Sequence, residues 1–513
     1  MKIIIKDLVK IYADEAILNE LSLEIVKGTH CAIVGENGCG KSTLMKILSG
    51  IENYQSGQIV IPKQMEIGYM DQQFEDYENS ARSYILKNFE QFQYLSKTLN
   101  DIESQMAESY SAELGIRYAK VMEQYQNIEG YEFENRMESY AKGLGIYHIL
   151  DDSYQSLSGG QKTRIALVGL LLKDCEVLCL DEPTNHLDIE GIEWLENYCK
   201  NTDKTLIIVS HDRKFLLNTV SVFYEIEDGN CVTYYGDYGE YRVQRKQRYE
   251  QLVNDYEIQQ KEIKRIKLAI RRYRQWGHES DNEDFFKRAK ALEKRIDRIE
   301  MLPKPVELKN HINLKLSTNN KTSKQIVTGE DLIIGYDKPL VHPLNFSVLA
   351  KERFAISAPN GVGKSTLIKT ILGDIPPLGG NIKKSESVKF GSIPQIIRFE
   401  SESERLLEYV MKQCMFSVEE ARRTLAHFGF YSDVVYKPLS VLSGGERVRL
   451  KLLELMVDEC QCLILDEPTN HLDIQSCEAL EKLLSEYSGT LIIVSHDRYF
   501  LDSLQVRYFN LVI

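Results

Sequence analysis

No uninterrupted apolar run in this chain approaches the ~20 residues a membrane-spanning helix needs, so no transmembrane helix is expected. The first residues, MKIIIKDLVKIY, are broken by Lys6, Asp7 and Lys10 and lead to no small-residue cleavage site. They read as a strand, not as a secretory signal. No CxxC pair occurs. Cys175 and Cys179, or Cys460 and Cys462, have the wrong spacing for metal ligands and no histidine at ligand distance. The ten scattered cysteines are expected to be structural thiols of a reducing cytosol. An excess of positive charge is also missing: 63 Lys and Arg face 76 Asp and Glu, a net charge of −13, which argues against a generic nucleic-acid coat. What remains is ordinary for folded chains, with 43% hydrophobic and 27% charged residues in 513, enough for two to four domains.

The chain repeats itself. LSGGQ at 157–161 returns as LSGGE at 442–446, LDEPTNHLDI at 180–189 returns at 465–474, and LIIVSHDR at 206–213 returns at 491–498, all at one offset of 285. GCGKSTL around Lys41 returns as GVGKSTL around Lys364 at an offset of 323, which Gln72 and Gln395 share. The first copy therefore holds about 38 extra residues between Gln72 and Ser158. They are assigned to Ile85–Gly130, a polar, proline-free stretch that suits a helical hairpin standing off the domain. Tyr241–Ile299, between the copies, also lacks proline and has only Gly277 as a breaker. It reads as two helices, Tyr241–Arg274 and Asp284–Glu300, joined by a tip from Gly277 to Asp284, with Pro303 and Pro305 ending the second. The first is twice as long as the second, so part of it is expected to pack on a domain or to break. The expected architecture is α/β: two P-loop domains, residues 1–238 (with the insertion at about 85–130) and 306–513, joined by an α-helical hairpin linker over 239–305.

AIVGENGCGKSTLMKIL (32–48) is strand, glycine-rich turn and helix. In such a turn backbone N–H groups wrap phosphates and the helix N-terminus adds its dipole. Lys41 is placed to reach the terminal phosphates of ATP and Ser42 to ligate Mg²⁺; Lys364 and Ser365 repeat this. VLCLDE and CLILDE are buried strands ending in two carboxylates. Asp181 and Asp466 suit Mg²⁺ through water, while Glu182 and Glu467 suit polarisation of the attacking water. His211 and His496 follow the apolar runs LIIVS, where an imidazole can reach a γ-phosphate.

This ordered set resembles the ATP-binding-cassette superfamily over nearly the whole chain, and LSGG is its discriminating element. The resemblance implies that the domains close face to face, each ATP lying between the P-loop of one and the signature of the other. Site one would pair Gly35, Asn37, Gly38, Gly40, Lys41, Ser42, Thr43, Gln72, Asp181, Glu182 and His211 with Ser443, Gly444, Gly445 and Glu446. Site two would pair Asn360, Gly361, Gly363, Lys364, Ser365, Thr366, Gln395, Asp466, Glu467 and His496 with Ser158, Gly159, Gly160 and Gln161. Gln72 and Gln395 would join Ser42, Asp181, Ser365 and Asp466 around Mg²⁺, and Tyr12 and Tyr336 match the aromatic that stacks on adenine. One departure stands out: Ala358 replaces the first glycine of the second P-loop, which crowds the turn if φ there is positive and predicts unequal hydrolysis.

Tandem cassettes, PTNHLD and a charged helical linker resemble the ABC-F branch. That branch implies a cytoplasmic monomer that binds the ribosome when ATP closes its cassettes. Its linker would reach 23S rRNA near the peptidyl-transferase centre and tRNA at the P/E sites, and its arm the L1-stalk side. Independently, Tyr241–Ile299 carries 17 Lys or Arg against 10 Asp or Glu, a local charge of +7 in a chain of −13. Such a stripe suits RNA phosphate; the alternative is a solvated hairpin of ion pairs. Arg271, Arg272, Arg274, Trp276 and His278 are the contact candidates, with packing of Trp276 on Phe285 or Phe286 as the other reading. The function expected from the resemblance is ribosome protection against antibiotics. Alternatives are a housekeeping translation factor at the E site and the ATPase half of an exporter with a separate membrane subunit.

Overall fold

The computed structural model describes all residues except 13–14, 71–76, 110, 186, 228, 281–282, 300, 303–323, 359–361, 471 and 512–513. The chain forms two compact units, Met1–Thr233 with Asn310–Ile513, and Tyr234–Lys309. Among the described residues no helix is long and apolar enough to cross a membrane.

The first unit holds both cassettes. The first cassette's main sheet has the order Ile67–Tyr69, Val177–Asp181, Thr205–Val209, His30–Gly35, Val222–Glu227, Asn230–Tyr235, and its first five strands pair in parallel. The second repeats it as Phe390–Ile393, Cys462–Asp466, Thr490–Val494, Arg353–Ser357, Arg507–Asn510, all parallel. Continuous apolar runs such as TLIIV suit strands covered on both faces, and every residue of Thr205–Val209 and Thr490–Val494 is buried. Each cassette adds a three-stranded antiparallel sheet, centred on Lys2–Tyr12 in the first and Gln325–Ile333 in the second.

The extra residues of the first cassette form two long helices, Glu90–Glu108 and Ala112–Asn127, followed by Gly130–Gly143. Phe92, Leu95, Leu99 and Ile102 are buried at helical spacing on the first of these. The Phe92 ring lies 4.4 Å from Phe133 and 5.6 Å from Tyr125.

The second unit is a hairpin of Tyr238–Ser280 and Glu283–Asp297. This corrects the expected tip: Gly277 lies inside the first helix, which runs unbroken for 43 residues, roughly 65 Å at 1.5 Å per residue. The reason is packing across the hairpin. A Cβ on Gly277 would sit 2.6 Å from the Phe286 ring, so this glycine acts as a seat for Phe286 and not as a helix breaker. Ile266, Ile270 and Ala289 form the hairpin core, with Tyr273, Leu292, Ile296 and Ile299 against it. Arg274–Glu293 at 2.6 Å and Arg295–Glu262 at 2.8 Å cross between the helices.

Candidate ATP sites

Each strand that ends in Asp-Glu delivers its two carboxylates differently. Asp181, fully buried at the strand end, is pushed up by burial, opposed by hydrogen bonds from the Ser42 and Tyr69 hydroxyls. Asp466 is pushed up by burial and opposed by Ser365. A carboxylate beside the first hydroxyl of the P-loop helix, in a site that penalises its uncompensated charge, fits a divalent cation. Ser42, Asp181, Ser365 and Asp466 are therefore the residues that would hold Mg²⁺.

Glu182 and Glu467 follow in the left-handed region, with φ of 50° and 48°. That conformation is strained for a non-glycine residue, and a neighbouring strand fixes it: Glu182 N–H donates to Val209 O and Glu467 N–H to Val494 O, each at 2.8 Å. The reversal aims both carboxylates at the histidine loops. His211 N–H donates to Glu182 Oε2 at 3.3 Å and His496 N–H to Glu467 Oε2 at 3.2 Å. The imidazole Nε2 atoms lie 3.3 Å and 3.4 Å from the same two carboxylates. Burial, then the neighbouring Asp181, pushes Glu182 up to about 8. Burial pushes Glu467 up to about 7 against the opposing Lys364 charge. A carboxyl tuned near neutrality suits proton abstraction from water.

The P-loop lysines differ. Lys41 Nζ donates to Gly35 O at 2.9 Å and Glu36 O at 2.8 Å. Lys364 Nζ donates to Ala358 O at 2.8 Å and lies 2.7 Å from His496 Nε2. Burial and then Lys364 pull His496 down to about 4, so this imidazole is neutral and accepts from the ammonium.

A cleft of about 720 Å³ brings Asn37, Gly38, Gly40, Lys41, Ser42, Thr43, Asp181, Glu182 and His211 together, with Thr469, Asn470, His496 and Asp497 from the second cassette. Ser443, Gly444, Gly445 and Glu446 are not among its described lining residues. Instead Ser443 and Glu446 make a capping box at the start of Gly444–Val457, as Ser158 and Gln161 do at Gly159–Leu171 beside Gly160. Tyr12 is part-exposed and its hydroxyl bonds Glu52. Tyr336, at 61% exposure, is more open. Thr366 is buried in the P-loop helix Lys364–Leu372, whose N-cap is Gly363, and Gln395 is exposed past the strand Phe390–Ile393. Gln72, Asn360 and Gly361 lie outside the described residues.

Ala358 corrects an expectation. Gly35 has φ of 150°, and a Cβ there would meet Cys39 Sγ and Ile226 O at 2.7 Å. Ala358 is not among the described non-glycine residues with positive φ. Its methyl belongs to a core cluster with Val362 and Leu511, so the second P-loop has absorbed it.

Comparison with known proteins settles what these paired sites belong to. The ABC transporter family model matches residues 18–185 and 341–470, and a second ABC transporter model matches 224–314, across the hairpin. The chain belongs to the ABC transporter family. It carries two of that family's ATPase domains, an α/β P-loop fold, and is an ATPase that uses ATP and Mg²⁺. It is 36% identical to the putative ATP-binding protein YdiF of Bacillus subtilis (strain 168) over 99% of this chain and 79% of that one. It is 30% identical to ABC transporter F family member 2 of Arabidopsis thaliana over 98% and 75%. Among solved structures it is similar in fold to the archaeal ribosome recycling factor aABCE1, in a complex with ribosomal stalk protein aP1. The TM-score is 0.59 at 18% identity, covering 98% of this chain and 87% of that one.

Proposed function

We propose that this ATPase binds the bacterial ribosome with its cassettes closed on ATP and protects the peptidyl-transferase centre from antibiotics through its hairpin. The observation that carries the reading is the hairpin itself, which concentrates a charge of +7 in a chain of −13. Arg271 and Arg272 are exposed near its turn, where guanidinium groups suit RNA phosphate. Relatives named as F family members, and a fold neighbour titled a ribosome recycling factor, support the same direction. The partners would be 23S rRNA and tRNA at the P/E sites, met in the cytoplasm by a monomer.

Trp276 has a double character. Its ring lies 5.8 Å from Phe285 and 5.9 Å from Tyr273, yet it is 43% exposed. It packs the end of the hairpin and keeps one face for a base, with His278 exposed beside it. The housekeeping alternative draws on one feature: Glu279, Asp281, Glu283 and Asp284 put four acids around the turn, which weakens rRNA contact there. Expression in a drug-susceptible bacterium, against a panel of ribosome-targeting antibiotics, separates the two. Protection predicts higher inhibitory concentrations for drugs of the peptidyl-transferase centre and none for others. Growth defects without resistance favour the housekeeping role.

A further inference from the structure

The segment that follows each of the switch histidines, His211 and His496 beside the catalytic glutamates, does something the ATP chemistry leaves unused. His211-Asp212-Arg213 and His496-Asp497-Arg498 each turn into a short helix, Arg213–Thr219 and Arg498–Leu504, capped by the aspartate. The arginine side chains reach across to the other cassette. Arg213, fully buried, donates from Nη2 to Glu481 Oε1 and, at 3.2 Å, to Asp497 Oδ2. Its guanidinium also sits 4.5 Å over the Tyr499 ring. Reciprocally, Arg498 donates from Nη2 to Glu196 Oε1 and lies 3.5 Å from Glu193. Glu196 and Glu481 stand on Ile189–Asn201 and Ile474–Glu486, the helices capped by Asp188 and Asp473 at the end of PTNHLD. Arg213 and Arg498, and Glu196 and Glu481, are each related by the same 285-residue offset. Two buried ion pairs thus cross between the cassettes about a pseudo-twofold axis.

We propose that Arg213 and Arg498 are positioning residues that tie each switch histidine to the opposite cassette's PTNHLD helix, and so couple the two ATP sites. A buried arginine-carboxylate pair adds geometric specificity, and breaking one partner leaves a charge uncompensated. A shift of one histidine loop on ATP binding must therefore drag, or be resisted by, the loop that ends beside the other site. The clamp is lopsided. Arg213 also hydrogen-bonds Asp497, the neighbour of His496, at 3.2 Å, whereas Arg498 acts on Asp212 through its charge. The inference rests on ATP turnover only, and stands whether or not the ribosome is the partner.

The test uses the full chain and five forms: native, Glu182→Gln, Glu196→Gln with Glu481→Gln, all three changes together, and Arg213→Lys with Arg498→Lys. Steady-state ATPase is measured against ATP concentration, with melting and nucleotide binding as folding controls. With the clamp intact, Glu182→Gln is expected to slow the whole enzyme about tenfold, because the second site loses its partner. With the clamp neutralised, the same change should leave about half of that background's rate, and the Hill coefficient should fall toward about one, as for independent sites. Arg213→Lys with Arg498→Lys keeps the charge but loses the fork, and should show partial uncoupling. Equal residual fractions in both backgrounds overturn the proposal. So does failure of both the Gln pair and the Lys pair to fold, which makes the ion pairs structural.

Discussion

Replacing Glu182 by Gln should stabilise the protein while slowing its chemistry, and the gain should depend on pH. Burial and the adjacent Asp181 raise this carboxyl from 4.5 to about 8 in the folded chain. A raised carboxyl favours its protonated form when folded, so its contribution is complete below pH 4.5 and is lost as pH rises through about 8. At about 1.4 kcal/mol per pH unit, the ceiling on that loss is roughly 5 kcal/mol. The real loss is smaller. The side chain keeps 14% exposure and lies 3.3 Å from His211 Nε2, so about 2 kcal/mol is expected. Gln keeps the acceptor for His211 N–H and carries no charge, so it removes the penalty. Urea unfolding of Glu182→Gln and native protein at pH 6 and pH 8.5 reads the difference, with a gain of about 2 kcal/mol at the higher pH and about half that at the lower. A gain that is absent, or equal at both values, refutes the claim that this carboxyl is poised by burial.

Three further outcomes follow. Glu182→Gln with Glu467→Gln should bind ATP through intact P-loops yet hardly hydrolyse it, since an amide cannot take the water's proton; a native turnover rate would overturn the general-base assignment. Gly35→Ala should weaken nucleotide binding at the first site by about 1–3 kcal/mol through its strained turn, whereas Ala358→Gly should lower stability by about 1 kcal/mol with nucleotide affinity unchanged. Calorimetric titration with a non-hydrolysable analogue checks both, and equal effects would mean that the two P-loops share one backbone geometry. Gly277→Leu should destabilise the hairpin by about 1 kcal/mol by unseating Phe286, although helix propensity alone predicts a gain. Hydrogen exchange over residues 238–297 gives the sign, and added protection would sink the packing argument.

Motifs that close within one strand-turn-helix were open to sequence reading, because chemistry there depends on residues a few positions apart. Lys41 with Ser42, Asp181 with Glu182, and His211 each belong to such a short motif, and the parallel sheet then brings the three motifs to one cleft. Signals that depend on partners far along the chain were less legible. Gly277 reads as a breaker until Phe286 is seen against it, and Ala358 reads as a defect until it is seen buried in the second cassette's core cluster. The left-handed turn at Glu182 and Glu467 leaves no mark in composition. The clamp did leave a trace: Arg213 and Arg498 end the repeated LIIVSHDR. Nothing local to that string shows, however, that its last side chain crosses to the other cassette.

The most direct measurement for the ribosome reading is co-sedimentation of Glu182→Gln with Glu467→Gln, with and without ATP. The account predicts that this variant pellets with ribosomes in ATP and not in ADP, and that replacing Arg271, Arg272 and Arg274 by Glu weakens the association and makes its loss with salt shallower, because fewer counterions are released. Ribosome association that ignores the nucleotide, or none at all in a variant proven to hold ATP, would contradict it.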